Sequence, residues 1–303
     1  MTLSLQDRYR GSLVGLATGD ALGGPREAVR KHEAEAIPYV SEMVGGGWLK
    51  LLPGQITDDT EMALCIARSI VERQTFDPAD VAARFLAWHK DNPIGMGRAT
   101  RYAMRRLEEG LPWNEAGYSD VGKNGLGNGS VMRCAPVALL DRRRSSALLA
   151  HTFEQGSITH PHPDCQESCV FLNTMIAALL NGREKKNAIG DGLVEISARV
   201  PLAYRYRMIP LLPALGTSGI VYETIESAVA TFLRNNTFEA TLLDAVNLGG
   251  DADTRGAVVG ALAGAHYGIA AIPERWTAPL CDRHGEPVLQ ELLDIATGLY
   301  KLS

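Results

Sequence analysis

The sequence predicts an all-α fold: a single compact domain of about a dozen helices. Apolar residues recur at helical spacing in most segments, and Ala and Leu are more frequent than runs of β-branched residues. The Gly- and Pro-containing breaks between these segments are short, and none resembles a long linker between domains. We therefore expect residues 1–303 to form one domain, although two helical lobes would also satisfy the pattern.

The helical segments follow one another between these breaks. Gly and Pro residues end them near residues 52–54, 91–97, 123–129, 159–164 and 211–219. The clearest helical patterns are EMALCIARSIVERQ, DVAARFLAWHK, ESCVFLNTMIAALLNG, TIESAVATFLRN and PVLQELLDIATGLYK.

The first predicted helix carries Gly11, Gly15 and Gly19 at intervals of four residues. One face of this helix therefore has no side chains, and another backbone can approach it closely. In a membrane such spacing indicates helix dimerisation, but polar residues flank and interrupt this segment. We predict tight packing of this face inside the core.

The composition is typical of a cytoplasmic globular protein. A formal net charge of -5 gives no general attraction to phosphate backbones, so we expect no duplex nucleic acid partner. We expect no export signal, because the N-terminal segment has no basic start, apolar core and cleavage site, and no membrane span, because no apolar run reaches about 18 residues. The cysteines form a sparse, odd-numbered set that fits reduced thiols: Cys65, Cys134, Cys165, Cys169 and Cys281.

Two polar tetrads precede apolar helices at distant places in the chain. The first is Thr57-Asp58-Asp59-Thr60, and the second is Asp251-Ala252-Asp253-Thr254. Helix capping explains one carboxylate in each tetrad, because Asp and Thr are preferred at helix starts. The second carboxylate in each tetrad is not explained by capping. Gly249-Gly250, just before the second tetrad, lets the backbone approach another group closely.

The two tetrads would form a strongly acidic site if they met in space. Two carboxylates about 4 Å apart repel by about 4 kcal/mol at an effective dielectric of about 20, and helix dipoles worth roughly 0.3–1 kcal/mol each do not offset this. Either some of these acids are protonated or cations lie between them. Carboxylate and hydroxyl oxygens suit Mg²⁺ first, with Mn²⁺ or Ca²⁺ as alternatives, and four acids are enough for two ions.

With these tetrads and three further segments, the chain resembles the ADP-ribosylglycohydrolase family. The segments are GSLVGLATGDALGGPRE (11–27), ITDDTEMAL (56–64), GNGSVMRCAPVAL (127–139), THPHPD (159–164) and VNLGGDADTRGAVVGALAGAHYG (246–268). The resemblance implies an all-α hydrolase with two divalent cations, Mg²⁺ or Mn²⁺. It also implies their ligands: Thr57, Asp58, Asp59, Asp251, Asp253 and Thr254.

The resemblance also suggests catalytic residues. Glu27 is the expected acid/base that handles water or the leaving group, with Asp58 and Asp253 acting at the metal site. The alternative for Glu27 is a solvated side chain that opens a short helix. Asp20 is interpreted as a structural turn acid rather than a metal ligand.

Residues expected to bind ADP-ribose lie in three other segments. Backbone N–H groups from Gly127 to a helix start at Ser130 could hold a diphosphate. An ordinary loop followed by an N-cap residue would have the same sequence pattern. We expect His160 to line the substrate site and His162 to lie at the surface. The full set of substrate-binding candidates is Gly127, Asn128, Gly129, Ser130, His160, Gly219 and Tyr222.

Two positions depart from the family pattern. Gly95 stands where members that act on ADP-ribosylarginine often carry an acid, and Ile220 stands where an aromatic residue commonly stacks on adenine. These departures bring arginine as the leaving group, and the usual recognition of adenine, into question. Tyr222 is a candidate to replace the missing aromatic residue.

The expected partner is an ADP-ribosylated protein or a small ADP-ribosyl conjugate. Two other interpretations stay open at this point. One is a related binuclear nucleoside or phosphoester hydrolase, and the other is a non-catalytic ADP-ribose-binding or structural member of the family. The sequence does not indicate the acceptor or the oligomeric state.

Overall fold

The computed structural model describes residues 3–29, 38–118, 124–212 and 214–303. These residues form fifteen α-helices and no β-sheet, with a few isolated β-bridges between loops, so the all-α prediction is confirmed. The helices are α1 (Leu5–Gly23), α2 (Asp58–Arg73), α3 (Pro78–Lys90), α4 (Arg98–Glu108), α5 (Trp113–Ala116), α6 (Ala135–Asp141), α7 (Ser145–Ser157), α8 (Pro163–Leu180), α9 (Lys185–Glu195), α10 (Val200–Arg207), α11 (Val221–Arg234), α12 (Phe238–Val246), α13 (Ala252–Tyr267), α14 (Glu274–Thr277) and α15 (Leu289–Leu302).

Helices α1 and α13 form the centre of the protein, and both are buried along most of their length. Their glycines meet in antiparallel pairs, with Gly11 against Gly264, Gly15 against Gly260 and Gly19 against Gly256. A Cβ built on Gly15 would lie 2.4 Å from the carbonyl oxygen of Gly260. The predicted tight packing of the first helix is therefore confirmed, and α13 supplies the matching small residues.

The other helices surround this central pair. Helix α15 packs on α1 and α2, while α8, α11 and α12 cover α13. Buried apolar side chains form one continuous cluster that runs from Tyr9 to Leu299. Because α1 and α13 are antiparallel, the C-terminal end of α1 lies beside the N-terminal end of α13, where Gly23 meets Ala252.

Asp20 lies inside α1 and is fully buried, so its interpretation as a turn acid is wrong. Its carboxylate accepts hydrogen bonds from the backbone N–H groups of Thr57 (2.9 Å) and Thr60 (3.1 Å) and from both threonine hydroxyls (2.8 and 2.5 Å). These are donors that the start of a helix leaves unpaired. Asp20 therefore caps α2 from a different helix and fixes the start of α2 to the end of α1.

No helix in the described ranges is long and apolar enough to cross a membrane. All five cysteines are buried and free, in agreement with the expected reduced thiols.

Candidate active site

The starts of α2, α4 and α13, with Glu27 and several loops, surround a cavity of about 650 Å³. The structure brings the two tetrads together here, because side chains from both line this cavity. Its acidic residues are Glu27, Asp58, Asp59, Asp251 and Asp253, and Thr254 lies beside them.

Backbone hydrogen bonds hold the second tetrad against the segment that contains Glu27. Ala28 N–H donates to Gly250 O (2.8 Å), and Gly250 N–H donates to Val29 O (2.6 Å). Gly250 has a φ of +72°, and a Cβ there would lie 2.0 Å from Thr217 O. Because an L side chain would be both strained and obstructed, this crossing of three segments requires glycine.

Capping does not account for the carboxylates. Thr57 and Asp251 occupy the N-cap positions of α2 and α13, yet neither side chain makes a capping hydrogen bond. Asp20 performs that role for α2. The excess of carboxylates noted in the sequence is thus available to the cavity.

Burial and mutual repulsion disfavour negative charge on these acids. Burial raises the pKa of Asp58, Asp59 and Asp253 well above the usual value for aspartate, and the neighbouring carboxylates raise it further. Cations would reverse both effects, since an opposite charge favours the ionised form. The acidic residues therefore form a site that either holds protons or binds cations.

The donor set fits hard divalent cations. Asp59 Oδ1 is buried without a hydrogen-bond partner, which leaves a carboxylate oxygen available for an ion. Across the described residues, no three His, Cys, Asp or Glu side chains form a ready-made cage for one ion. Mg²⁺ usually retains several waters and needs one or two carboxylates, so an open arrangement of oxygens suits it. Thr57 does not line the cavity, because its hydroxyl donates to Asp20 Oδ1 (2.8 Å).

Glu27 lines the same cavity from the opposite segment. Burial, followed by the negative charge of Asp251, raises the pKa of Glu27 to about 7, against the effect of a hydrogen bond from Trp48. The Trp48 indole N–H donates to Glu27 Oε2 at 3.0 Å. A carboxyl group with a pKa near neutral can both accept and donate a proton during turnover.

Gly127, Asn128 and Gly129 line the cavity, as predicted for substrate-binding residues. The Asn128 amide also donates to Asp251 Oδ2 and to Thr224 Oγ1, both at 2.9 Å, and so helps to orient Asp251. The helix expected at Ser130 begins at Ala135 instead, and residues 129–133 form a turn. Ser130 does not line the cavity, because its buried hydroxyl accepts from Cys169 Sγ.

His160 is 3% exposed and lines the cavity beside Gly127 and Gly129. Arg133 donates to Thr159 Oγ1 (2.6 Å), and Thr159 Oγ1 lies 2.7 Å from His160 Nδ1. When the Thr159 hydroxyl donates its hydrogen to Nδ1, Nε2 carries the ring proton. Burial, with the Arg133 charge, lowers the pKa of His160 to about 3, so the ring is a neutral donor.

A model of the family described as ADP-ribosylglycohydrolase matches residues 1–303. The chain belongs to the ADP-ribosylglycohydrolase family. It is 39% identical to ADP-ribosyl-[dinitrogen reductase] glycohydrolase of Rhodospirillum rubrum over 280 residues, 91% of each chain. It is 34% identical to ADP-ribosylarginine hydrolase Tri1 of Pseudomonas putida (strain GB-1), covering 98% of this chain and 80% of the relative.

A solved structure titled "ADP-ribosylglycohydrolase-related protein complex" superposes with a TM-score of 0.85 at 37% identity, with 99% of each chain covered. Family membership confirms the resemblance found in the sequence and the expectation of a glycosidic-bond hydrolase. The residue roles expected from the ADP-ribosylglycohydrolase family stay predictions.

Of the two departures from the family pattern, Gly95 lines the cavity and Ile220 does not. Gly95 has a φ of +90°, and a Cβ there would lie 2.3 Å from Asp58 Oδ1, so a side chain at this position would strain the backbone and displace the Asp58 carboxylate. Ile220 pairs with Gly127 in an isolated β-bridge, which brings Gly219 to the cavity.

Two other candidates lie outside the cavity. Tyr222 lines a separate cavity under the Arg205 guanidinium, whose carbon is 3.9 Å from the ring centre. It therefore does not replace the missing aromatic residue at the site. His162 is half-buried rather than at the surface, and its Nδ1 accepts from Asp164 N–H at the start of α8.

Sequence reasoning missed several residues of the site. Arg98, Thr100 and Met132 line the cavity, but single residues of these types are common in any core or surface. Trp48 was overlooked because a lone aromatic residue in a Gly-rich loop has no spacing signal. The three adjacent glycines at 45–47 were the available sign of a special backbone at that place.

Proposed function

We propose that this member of the ADP-ribosylglycohydrolase family is a cytoplasmic Mg²⁺- or Mn²⁺-dependent enzyme that cleaves the bond between ADP-ribose and an acceptor. The supporting observation is the convergence of five carboxylates on one cavity, three of them with pKa values well above the usual range. Such a cluster is costly without cations.

Asp58, Asp59, Asp251, Asp253 and Thr254 would hold two ions, with Thr57 in a supporting position behind them. The bound ions would orient the hydroxyls of the ribose and polarise the site. The unpartnered Asp59 Oδ1 supports this assignment, because a buried carboxylate oxygen without any partner is rare.

The proposed reaction adds water to the anomeric carbon of the ribose while the bond to the acceptor breaks, through an oxocarbenium-like state. Glu27 handles the proton of the water or of the leaving group. Its pKa of about 7, set by burial and by Asp251, supports this role.

The diphosphate of ADP-ribose would lie along the glycine segment. Gly127 and Gly129 leave the backbone open to the cavity, since a Cβ at Gly129 would lie 2.7 Å from the His160 ring. In the tautomer with the proton on Nε2, the neutral His160 ring directs that N–H toward this segment and can donate to a phosphate oxygen. An acidic protein can thus bind an anionic ligand with local donors.

The acceptor is the least constrained part of the substrate. The two relatives named above act on ADP-ribosylated dinitrogen reductase and on ADP-ribosylarginine, according to their names. In this chain, an arginine acceptor would not find a carboxylate at Gly95, and the exposed Arg98 lies on the same wall of the cavity. A panel of arginine-, serine- and acetyl-linked conjugates of ADP-ribose is therefore the appropriate assay.

Asp253→Ala provides the main test. With Mg²⁺ or Mn²⁺ the wild-type protein should release free ADP-ribose from at least one conjugate, and EDTA should abolish the release. Asp253→Ala should reduce turnover at least about 100-fold, because it removes a metal ligand rather than a supporting group, while the helical circular dichroism signal is retained. Asp294→Ala, an exposed position on α15, is the matched control and should keep full activity.

Glu27→Gln should slow turnover more than it weakens ADP-ribose binding measured by calorimetry. Full activity of Asp253→Ala, or activity that EDTA does not change, would refute the metal-dependent mechanism. Tight binding of ADP-ribose without turnover of any conjugate would favour a non-catalytic ADP-ribose-binding protein.

A further inference from the structure

Residues 46–51 form a tight hairpin next to the cavity, which we call the Trp48 hairpin. Gly46 and Leu51 exchange both backbone hydrogen bonds, at 2.7 and 2.9 Å, and Trp48 lies within the closed turn. The side chain of Trp48 is 64% exposed.

The hairpin is seated on the backbone just before Glu27. Gly45, Gly46 and Gly47 have φ values of +64°, +85° and +68°, which allow the chain to fold back on itself. A Cβ on Gly47 would lie 3.0 Å from Pro25 Cα and 3.1 Å from Gly24 O, so this glycine permits direct contact of the two backbones. Glu27 N–H donates to the same Gly24 oxygen at 3.2 Å. The hairpin and Glu27 therefore share one anchoring segment.

The polar atom of Trp48 is directed to Glu27. Its indole N–H donates to Oε2 at 3.0 Å. Glu27 lines the cavity and Trp48 does not, so the hydrogen bond reaches the carboxylate from outside the site. One carboxylate oxygen is thereby held in place, and the Glu27 carboxyl group also interacts with Asp253 inside the cavity.

We propose that Trp48 is a positioning residue for Glu27, and that the hairpin fixes the direction of the Glu27 carboxylate during turnover. This inference rests on the proposed role of Glu27 as the acid/base. The test uses full-length, Mg²⁺-loaded enzyme and the small conjugate cleaved fastest among ADP-ribosylarginine, an ADP-ribosylserine peptide and O-acetyl-ADP-ribose.

Trp48→Phe retains an aromatic ring and removes the N–H donor. We expect kcat to fall about tenfold, with KM changed less than about twofold, because the bond orients a catalytic group and does not bind the substrate. Trp88→Phe is the matched control. The Trp88 indole N–H donates to Glu61 Oε2 at 2.6 Å, and both residues line a separate cavity rather than the active site, so its loss should lower stability but not kcat.

A double-mutant cycle tests whether Trp48 acts through Glu27. In a Glu27→Gln background, Trp48→Phe should have little further effect on kcat, because the group that it orients has lost its proton chemistry. Independent effects that multiply would overturn the proposal. The proposal would also be overturned if Trp48→Phe had the wild-type kcat while Trp48→Ala lost activity, because the aromatic ring rather than the indole N–H would then be responsible.

The hydrogen bond also has a spectroscopic signature that does not depend on activity. The chain has four tryptophans, so a ¹H–¹⁵N spectrum contains four indole signals, and Trp48→Phe identifies the one from Trp48. Glu27→Ala should shift that signal and leave the Trp88 signal in place. An unchanged Trp48 signal would contradict the contact. Full activity of Glu27→Gln would instead refute the proposed function, so the two failures are distinguishable.

Discussion

Gly260→Ala adds one methyl group at the centre of the contact between α1 and α13. The added Cβ would lie 2.0 Å from Gly15 O and 2.7 Å from Gly15 C. Real Cβ atoms essentially never approach closer than 3.0 Å, so the two backbones must separate by at least 3.0 - 2.0 = 1.0 Å at this point. No side-chain rotation relieves the overlap, because the obstructing atoms belong to the main chain.

Two effects of opposite sign determine the stability of this variant. Replacing a mid-helix glycine by alanine favours the helix by about 1 kcal/mol. Overpacking a dense core typically costs about 1–3 kcal/mol, and here the separation also loosens the neighbouring contact of Gly19 with Gly256. We expect a net loss of about 2 kcal/mol or more in the free energy of unfolding, taking the upper part of that range because backbone meets backbone.

The same separation should reach the active site. Asp20 on α1 fixes the start of α2, and Asp253 lies in the first turn of α13, so a shift between α1 and α13 moves Asp58 relative to Asp253. A misplacement of about 1 Å can reduce turnover by about 100-fold. Because Asp58 and Asp253 are both proposed metal ligands, the same shift should also weaken Mg²⁺ binding in the folded Gly260→Ala protein.

Gly190→Ala is the matched control. Gly190 is an exposed residue of α9, and an added Cβ there would meet nothing within 4 Å. The helix preference alone then acts, and this variant should gain about 0.5–1 kcal/mol. Urea unfolding followed by circular dichroism measures both variants, and Mg²⁺ titration calorimetry measures the effect at the site. If Gly260→Ala proved as stable as the wild type, the close packing of glycines would not be what holds α1 against α13.

Three further perturbations test other parts of the structure. Asp20→Ala leaves the buried N–H groups of Thr57 and Thr60 unpaired, so the free energy of unfolding measured in urea should fall by about 2–5 kcal/mol. A decrease below about 1 kcal/mol would contradict the capping of α2 by α1. In the folded protein the pKa of His160 is about 3, whereas in the unfolded chain it has the ordinary value of 6.5. As the pH drops below about 6.5 the unfolded chain therefore takes up a proton that the folded protein does not, and the free energy of unfolding falls. Wild type should lose about 2 kcal/mol more than His160→Gln between pH 7.5 and pH 5, and equal losses would exclude a buried neutral ring. Because the pKa values of Asp58, Asp59 and Asp253 are raised, Mg²⁺ must displace protons when it binds. Calorimetry in two buffers of different ionisation enthalpy should show this proton release, and Mg²⁺ should bind more weakly at lower pH. A binding enthalpy that does not depend on the buffer would mean that these acids are already ionised.

Features with a repeating spacing were predictable from the sequence. The four-residue interval of Gly11, Gly15 and Gly19 indicated close helix packing without any knowledge of the partner, because small residues on one face have few other uses in a core. The paired acids at 58–59 and 251–253 were also informative, since they exceed what two helix caps require. That the two pairs of acids meet was implied by the family resemblance, and the electrostatic cost of such a meeting called for protons or cations between them. The presence of cations stays a prediction.

Features that depend on long-range geometry were not predictable. Nothing around Asp20 in the sequence indicates that its carboxylate reaches the start of another helix 37 residues later. The helix expected at Ser130 failed for a related reason: the segment 127–133 is held by contacts to distant segments, with Asn128 N–H donating to Gly219 O and Arg133 donating to Gln155 O and Thr159 Oγ1. These contacts favour a turn over the local preference for a helix.

Two buried arginines show how the fold keeps the carboxylates available. Arg133 and Arg255 are each at most 1% exposed and follow site segments directly in the sequence. Arg255 donates to Ser227 Oγ and to the carbonyl groups of Ala245 and Gly249, and Arg133 donates to Gln155, Thr159 Oγ1 and Met62 Sδ.

Neither arginine forms a salt bridge with any carboxylate in the described part of the chain. An arginine paired with Asp251 or Asp253 would satisfy that acid and compete with a cation. Neutral acceptors instead hold the two guanidinium groups in place. The positive charge of the guanidinium groups acts on the carboxylates from a distance, as the influence of Asp251 and Asp253 on the pKa of Arg255 indicates. The loops around Gly249 and Thr159 are thereby held rigid while the carboxylate oxygens face the cavity.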